Sequence, residues 1–136
     1  MYLVDTNVLS ELRRPRPDRH VVAWFGSIPA DSTYVSVITL GEIAKGIAKQ
    51  RRDNPAHADD LETWLDRLLG EYADRVLDID ARTALRWGAL VDAHPQFPVD
   101  MLIAASALEH SLTVVTRNEA HIRVAGAPVV NPFQRR

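Results

Sequence analysis

Cysteine is absent from this chain of 136 residues, which excludes a disulfide framework and any thiolate zinc site. The absence fits a reducing compartment. A secretory signal is missing too: Asp5 interrupts the first apolar run, and no basic region precedes it. No run of consecutive apolar residues reaches the ~20 that span a bilayer. These absences point to a cytoplasmic protein with no membrane partner. Neither sign of charge dominates, and a net charge of −2 gives no general attraction to nucleic acid. The cations are nevertheless clustered, in "RRPRPDR" at 13–19, in "KQRR" at 49–52 and in the terminal "RR". Such clusters serve either as solvated surface or as phosphate contacts. Internal repeats and low-complexity tracts are also lacking.

What is present suits one globular domain spanning residues 1–136. Hydrophobic residues at 46% and charged residues at 25% are ordinary values, and the length suffices for a sizeable core. Tyr2–Asp5 is apolar without alternation until its last residue, as a fully buried strand is. Thr6–Leu12 reads as a helix stopped by the proline-rich "RRPRP". Asp18 caps a second helix to about Ser27. Thr33–Ser36 is a strand, followed by a helix from Ser36 or Thr39 with Leu40, Ile43, Ala44 and Ile47 at helical spacing. Pro55 opens a long helix to about Ala73, striped by Leu61, Trp64, Leu65, Leu68, Leu69 and Tyr72. That stripe is either all core or partly surface for association. A short strand at Val76–Ile79 and a helix from Ala81 to Ala93 come next. "VDMLIAASALEH" is helical in length and apolar on nearly every side, hence a buried helix. "LTVVT" is a buried strand, "RNEAHIRVAG" a loop with at most one helical turn, and "PVVNP" a short last strand. Strands alternating with helices predict a parallel sheet covered on both faces, and such sheets bind ligands beyond the carboxyl ends of their strands.

Carboxylates fall at those ends. Asp5 follows the first strand, Glu42 lies early in the helix after the second, and Asp100 lies in the first turn of the buried helix. Each has a plain structural explanation. Asp5 serves as a helix cap. Glu42, opposite the Leu40–Ile43–Ile47 stripe, is solvent-exposed by periodicity. Asp100 favours the positive end of its helix. Together they resist that explanation. Asp5 and Asp100 border the core, no lysine or arginine adjoins either in sequence, and an unpaired buried charge is costly. A divalent cation meets the need, and oxygen ligands suit Mg²⁺ or Mn²⁺. Of the histidines, only His121 falls near these residues, so a two-histidine acid–base mechanism has little support.

The segments "YLVDTNVLSEL", "SVITLGEIAKGI", "PVDMLIAASALEHSLTVVTRN" and "VVNPF", in this order, resemble the PIN-domain ribonucleases, specifically the VapC-type toxins of type II toxin–antitoxin pairs. The resemblance runs from Met1 to about Phe133. It implies a three-layer α/β/α sandwich around a mostly parallel sheet of four to five strands. It further implies a Mg²⁺-dependent (or Mn²⁺-dependent) endoribonuclease in which metal-activated water cleaves RNA. Asp5, Glu42 and Asp100 take the catalytic and metal-binding positions. Thr6, Asn7 and Thr116 are supporting residues that orient ligands or water, or else make turn and cap hydrogen bonds. The fourth acidic position of the family falls at Asn118, an amide, with Glu119 as the candidate substitute. His121 stands where many similar proteins carry an aspartate. A cognate VapB-type antitoxin, a homodimer within a larger toxin–antitoxin assembly, and operator DNA reached only through the antitoxin are implied as partners.

Two other readings compete. A haloacid-dehalogenase-type phosphatase also starts with a strand ending in aspartate, but it needs a second aspartate where this chain has Asn7. A catalytically decayed partner-binding module on the PIN fold would account for Asn118 and His121. It would not account for Asp5, Glu42 and Asp100 together.

Overall fold

The computed structural model describes residues 1–134, so the terminal arginine pair, the last of the basic clusters, lies outside the described residues. Five strands, β1 (Tyr2–Val4), β2 (Thr33–Ser36), β3 (Val76–Leu77), β4 (Thr113–Val115) and β5 (Val129–Val130), form one sheet in the order β3-β2-β1-β4-β5. Every pairing is parallel. The helices are α1 (Thr6–Arg13), α2 (Arg19–Gly26), α3 (Val37–Asp53), α4 (Pro55–Glu71), α5 (Ala81–Ala93), α6 (Pro98–His110) and α7 (Glu119–Arg123).

Parallel strands need crossovers, so the inner strands β1, β2 and β4 are largely buried while the edge strands are partly covered, and successive residues serve opposite layers. Leu3 and Val114 are register partners and join Ile103, Ala104, Ala107 and Ile122 on the α6 side. Val4 and Val115, one residue on, join Val8, Val21, Trp24 and Ile43 on the other side. Fully burying a valine or leucine of this kind contributes about 1.5–3 kcal/mol. The α4 stripe is spent in this second layer: Leu68 and Tyr72 are buried, and Leu61, Trp64 and Leu65 pack against it. The core reading of the stripe accounts for all of it except Leu69, which is exposed.

Local chemistry sets the helix ends. Asp5, Asp18, Ser36, Asn54 and Asp80 cap α1 to α5 in turn through their side chains. Pro55 and Pro98 occupy first-turn positions, where a missing N–H costs nothing. α6 is buried on most sides, with Met101, Ile103, Ala104 and Ala105 fully covered. The segment at 117–126 carries a five-residue helix, α7, anchored by the fully buried Ile122.

The order of strands reverses beside β1. Chain order runs outward from β1 through β2 to β3 on one side, while β4 and β5 lie on the other. The crevice at the carboxyl ends of β1 and β4 is therefore the topological switch point. Asp5 follows β1 directly, and Thr116 follows β4 directly.

Candidate active site

Asp5 is both a helix cap and a member of a polar cluster. Its Oδ1 accepts the Thr6 N–H at 2.8 Å, as an N-cap does. Its Oδ2 accepts the buried Thr116 hydroxyl at 2.8 Å and the Asn7 amide at 3.4 Å. The carboxylate is only 5% exposed, and these partners are all neutral. Burial pushes its pKa up from 3.8 to about 6. The Thr116 and Thr6 hydrogen bonds pull it down, while the charges of Asp100 and Glu42 push it further up.

The supporting residues join the strand ends. Thr6 donates its hydroxyl to Glu42 Oε1 at 2.7 Å, which links α1 to α3. Glu42 is accordingly half-buried, a correction to the exposure expected from the helical period. The period reports only the face of α3 against its own layer. It is blind to α1 crossing above. Asn7 donates to Thr116 Oγ1 at 3.3 Å, and its Oδ1 accepts the Arg117 N–H at 3.2 Å. The Asn118 N–H donates to Thr116 Oγ1 at 3.0 Å. Asn118 stands at the cap of α7, yet its side chain makes no capping bond there. Glu119 is drawn along α7 to an ion pair with Arg123, one turn on.

Asp100 lies in the first turn of α6, half-buried, with Oδ2 at 2.7 Å from His121 Nδ1. The imidazole stacks on Phe97, ring centroids 3.7 Å apart and planes 19° from parallel. Position in the chain singles out His121, but nothing in the sequence names its partner. Glu11 went unremarked in the sequence. It is 6% exposed on α1, accepts the Asp18 N–H at 2.9 Å, and lies 3.8 Å from Arg117 Nη2. Its spacing of three from Val8 places it on the apolar face, and that signal was available. Arg117 in turn lies 3.8 Å above the Phe133 ring.

In the "KQRR" cluster, Arg51 pairs with Asp59 and Glu62 of α4, closing the α3–α4 hairpin. A separate groove of about 890 Å³ runs along α1, α2 and α4, lined by Leu9, Leu12, Phe25 and Trp64 with Arg13 and Arg67 among them.

Among the described residues no three Asp, Glu, His or Cys side chains converge closely enough to enclose an ion unaided. The donor set nonetheless fits a magnesium-type ion. Such ions keep several waters and take one or two carboxylates, and Asp5 is a buried carboxylate under two like charges with only neutral partners.

A parallel-sheet sandwich with acids at its switch point has the build of the PIN-domain proteins, and the chain belongs to that family: the PIN domain profile matches residues 2–127. It is similar to Toxin FitB of Neisseria gonorrhoeae, 36% identical over 98% of this chain and 99% of that protein. VapC ribonuclease Y4jK of Sinorhizobium fredii is 34% identical over 98% of this chain and 99% of its own length. The solved structure of FitAB bound to an IR36 DNA fragment aligns with a TM-score of 0.88 at 32% identity, covering 100% of this chain and 98% of that one.

Proposed function

We propose that this chain is the toxin of a type II toxin–antitoxin pair and a metal-dependent endoribonuclease, with Asp5 and Asp100 binding Mg²⁺ or Mn²⁺ and Glu42 binding directly or through water. One observation carries this reading. Asp5, 5% exposed, stands at the carboxyl end of the central strand; burial raises its pKa and two further acids add to the rise, with no cationic partner of its own. A structural cap has no use for that repulsion. A cation site does.

A bound divalent ion activates water and offsets charge on the phosphate. The chain's own part is to hold the ligands still. Thr6 N–H and the Thr116 hydroxyl fix the Asp5 oxygens, and the Thr6 hydroxyl fixes Glu42. Asn7 ties Thr116 and the Arg117 backbone to the same helix start. Relatives with toxin and ribonuclease names across nearly the whole length support RNA as substrate. No helix among the described residues is long and apolar enough to cross a membrane, in keeping with work in the cytoplasm.

A VapB-type antitoxin is the proposed partner, and the groove beside α1 suits an apolar segment of it. α1 spans about 12 Å at 1.5 Å per residue, so a segment lying along it comes close to Asp5 at its start. From there the antitoxin can insert an arginine or lysine among Asp5, Glu42 and Asp100 in place of the metal's charge. Operator DNA is then contacted through the antitoxin, consistent with a neighbour solved as FitAB on DNA. A homodimer within that assembly completes the proposal.

The deciding experiment is RNA cleavage by the purified chain freed of its partner. Cleavage is expected with Mg²⁺ or Mn²⁺, to cease on chelation, and to be lost in Asp100→Asn. Intact RNA in the presence of folded protein and either metal would overturn the enzymatic reading and favour the decayed binding module.

A further inference from the structure

Asp100 has a single side-chain partner among the described residues, and it is an imidazole. An ionised carboxylate only accepts hydrogen bonds, so the chemistry places the proton on His121 Nδ1. Oδ2 is thereby occupied and Oδ1 is the oxygen left over. The ring itself has little freedom, because it stacks on Phe97 at 3.7 Å. Phe97 immediately precedes Pro98, and its carbonyl accepts the Met101 N–H at 2.9 Å, so the stack rests on the root of α6. On the other side His121 sits next to the fully buried Ile122, which anchors α7 in the core.

The same segment holds the other acid. The Thr116 hydroxyl donates to Asp5 Oδ2 and accepts the Asn118 N–H, tying the start of α7 to β4. Residues 116–121 thus grip Asp5 at one end and Asp100 at the other. We infer that His121 is a positioning residue: it turns Asp100 so that Oδ1 faces the site and, with Thr116, sets the relative orientation of the two acids. This inference rests on the reading of Asp100 as a metal-binding acid.

Partners of this kind, one bond removed from the metal, are worth about 10–100-fold in affinity when lost. The test measures Mn²⁺ binding to the full chain, freed of partner and metal, by the resonance signal of unbound Mn²⁺. Thermal unfolding of each metal-free variant reports its fold. His121→Phe keeps the stack and removes the donor, and it is expected to weaken binding about 10–100-fold. His121→Asn keeps a donor near the same place and is expected to bind close to the unsubstituted chain. The similarly sized pair His121→Asn and His121→Leu repeats the comparison without a ring, should the phenylalanine variant not fold. Unchanged affinity in His121→Phe or His121→Leu, with Asp100→Asn weakened, would overturn the positioning role alone. Equal weakening in His121→Asn and His121→Leu would overturn the donor as its cause. Unchanged affinity in Asp100→Asn would instead overturn the metal-site reading, and this inference with it.

Discussion

Asp5 and Asp100 border one crevice and are held in opposite ways. Asp5 is almost wholly buried and fixed by neutral donors from Thr6, Asn7 and Thr116. Asp100 is half-buried and held by one imidazole on the five-residue helix α7. Neutral donors steady a carboxylate without cancelling its charge, so the cost of ionising Asp5 stays in the fold. The Asp5 side is therefore stiff and strained, while the orientation of Asp100 depends on where α7 lies. Each half can be broken separately.

The largest effect is expected from Asp5→Asn. RNA cleavage should vanish, yet the metal-free protein should become more stable at pH 8. The folded-state pKa of Asp5 is raised from 3.8 to about 6. Its contribution to stability is then fully present below pH 3.8 and lost as pH rises through about 6. At ~1.4 kcal/mol per pKa unit, the ionised side chain costs the native state about 3 kcal/mol above that window. Asparagine removes the cost and can still accept the Thr6 N–H. Denaturant unfolding of the metal-free proteins at pH 8 checks the gain. A variant less stable than its parent would mean that the Asp5 side is not strained.

Thr116→Val should follow in size. The substitution is nearly isosteric but strips a fully buried hydroxyl from Asp5, Asn7 and the Asn118 N–H. A loss of about 1–3 kcal/mol is expected for leaving such groups unsatisfied. The Thr116 bond lowers the Asp5 pKa, so its removal should move the acid limb of Mn²⁺ binding to higher pH. In the unsubstituted chain that limb should lie near pH 6, with binding lost on acidification as a proton takes the metal's place on Asp5.

Glu42→Gln sharpens the comparison more gently. Glu42 is the last of the causes raising the Asp5 pKa, so the acid limb should move slightly down, with cleavage reduced rather than abolished. An upward shift would show that the repulsion is misassigned. The smallest effect is expected from Arg51→Ala, which breaks only the exposed α3–α4 ion pairs. Thermal unfolding should fall slightly and RNA cleavage not at all. Weakened RNA binding would place the "KQRR" cluster on the substrate path.

Much of the fold was legible in the chain. The apolar runs at Tyr2–Val4 and Thr113–Val115, the cap at Asp18 and the proline at 55 act within a few residues. Local rules therefore read them. α7 was expected as no more than one turn because its stability comes from Ile122 in the core and not from a stripe of its own. Glu42 was misplaced for the same reason: its partner is Thr6, 36 positions away. Glu11, on the apolar face of α1, was legible and passed over.

By itself the sequence determined a cysteine-free α/β chain with acids just beyond its strands, because hydrophobic period and acid position are properties of neighbouring residues. Only the tertiary structure decided that Thr116 closes over Asp5 and that His121 meets Asp100. Those contacts join residues far apart in the chain across a parallel sheet. A parallel sheet brings its strand ends together only once every crossover has closed. Burial then raises the Asp5 pKa, in an environment that Thr6 and Asn7 beside it share with Thr116, Asp100 and Glu42 from distant parts of the chain.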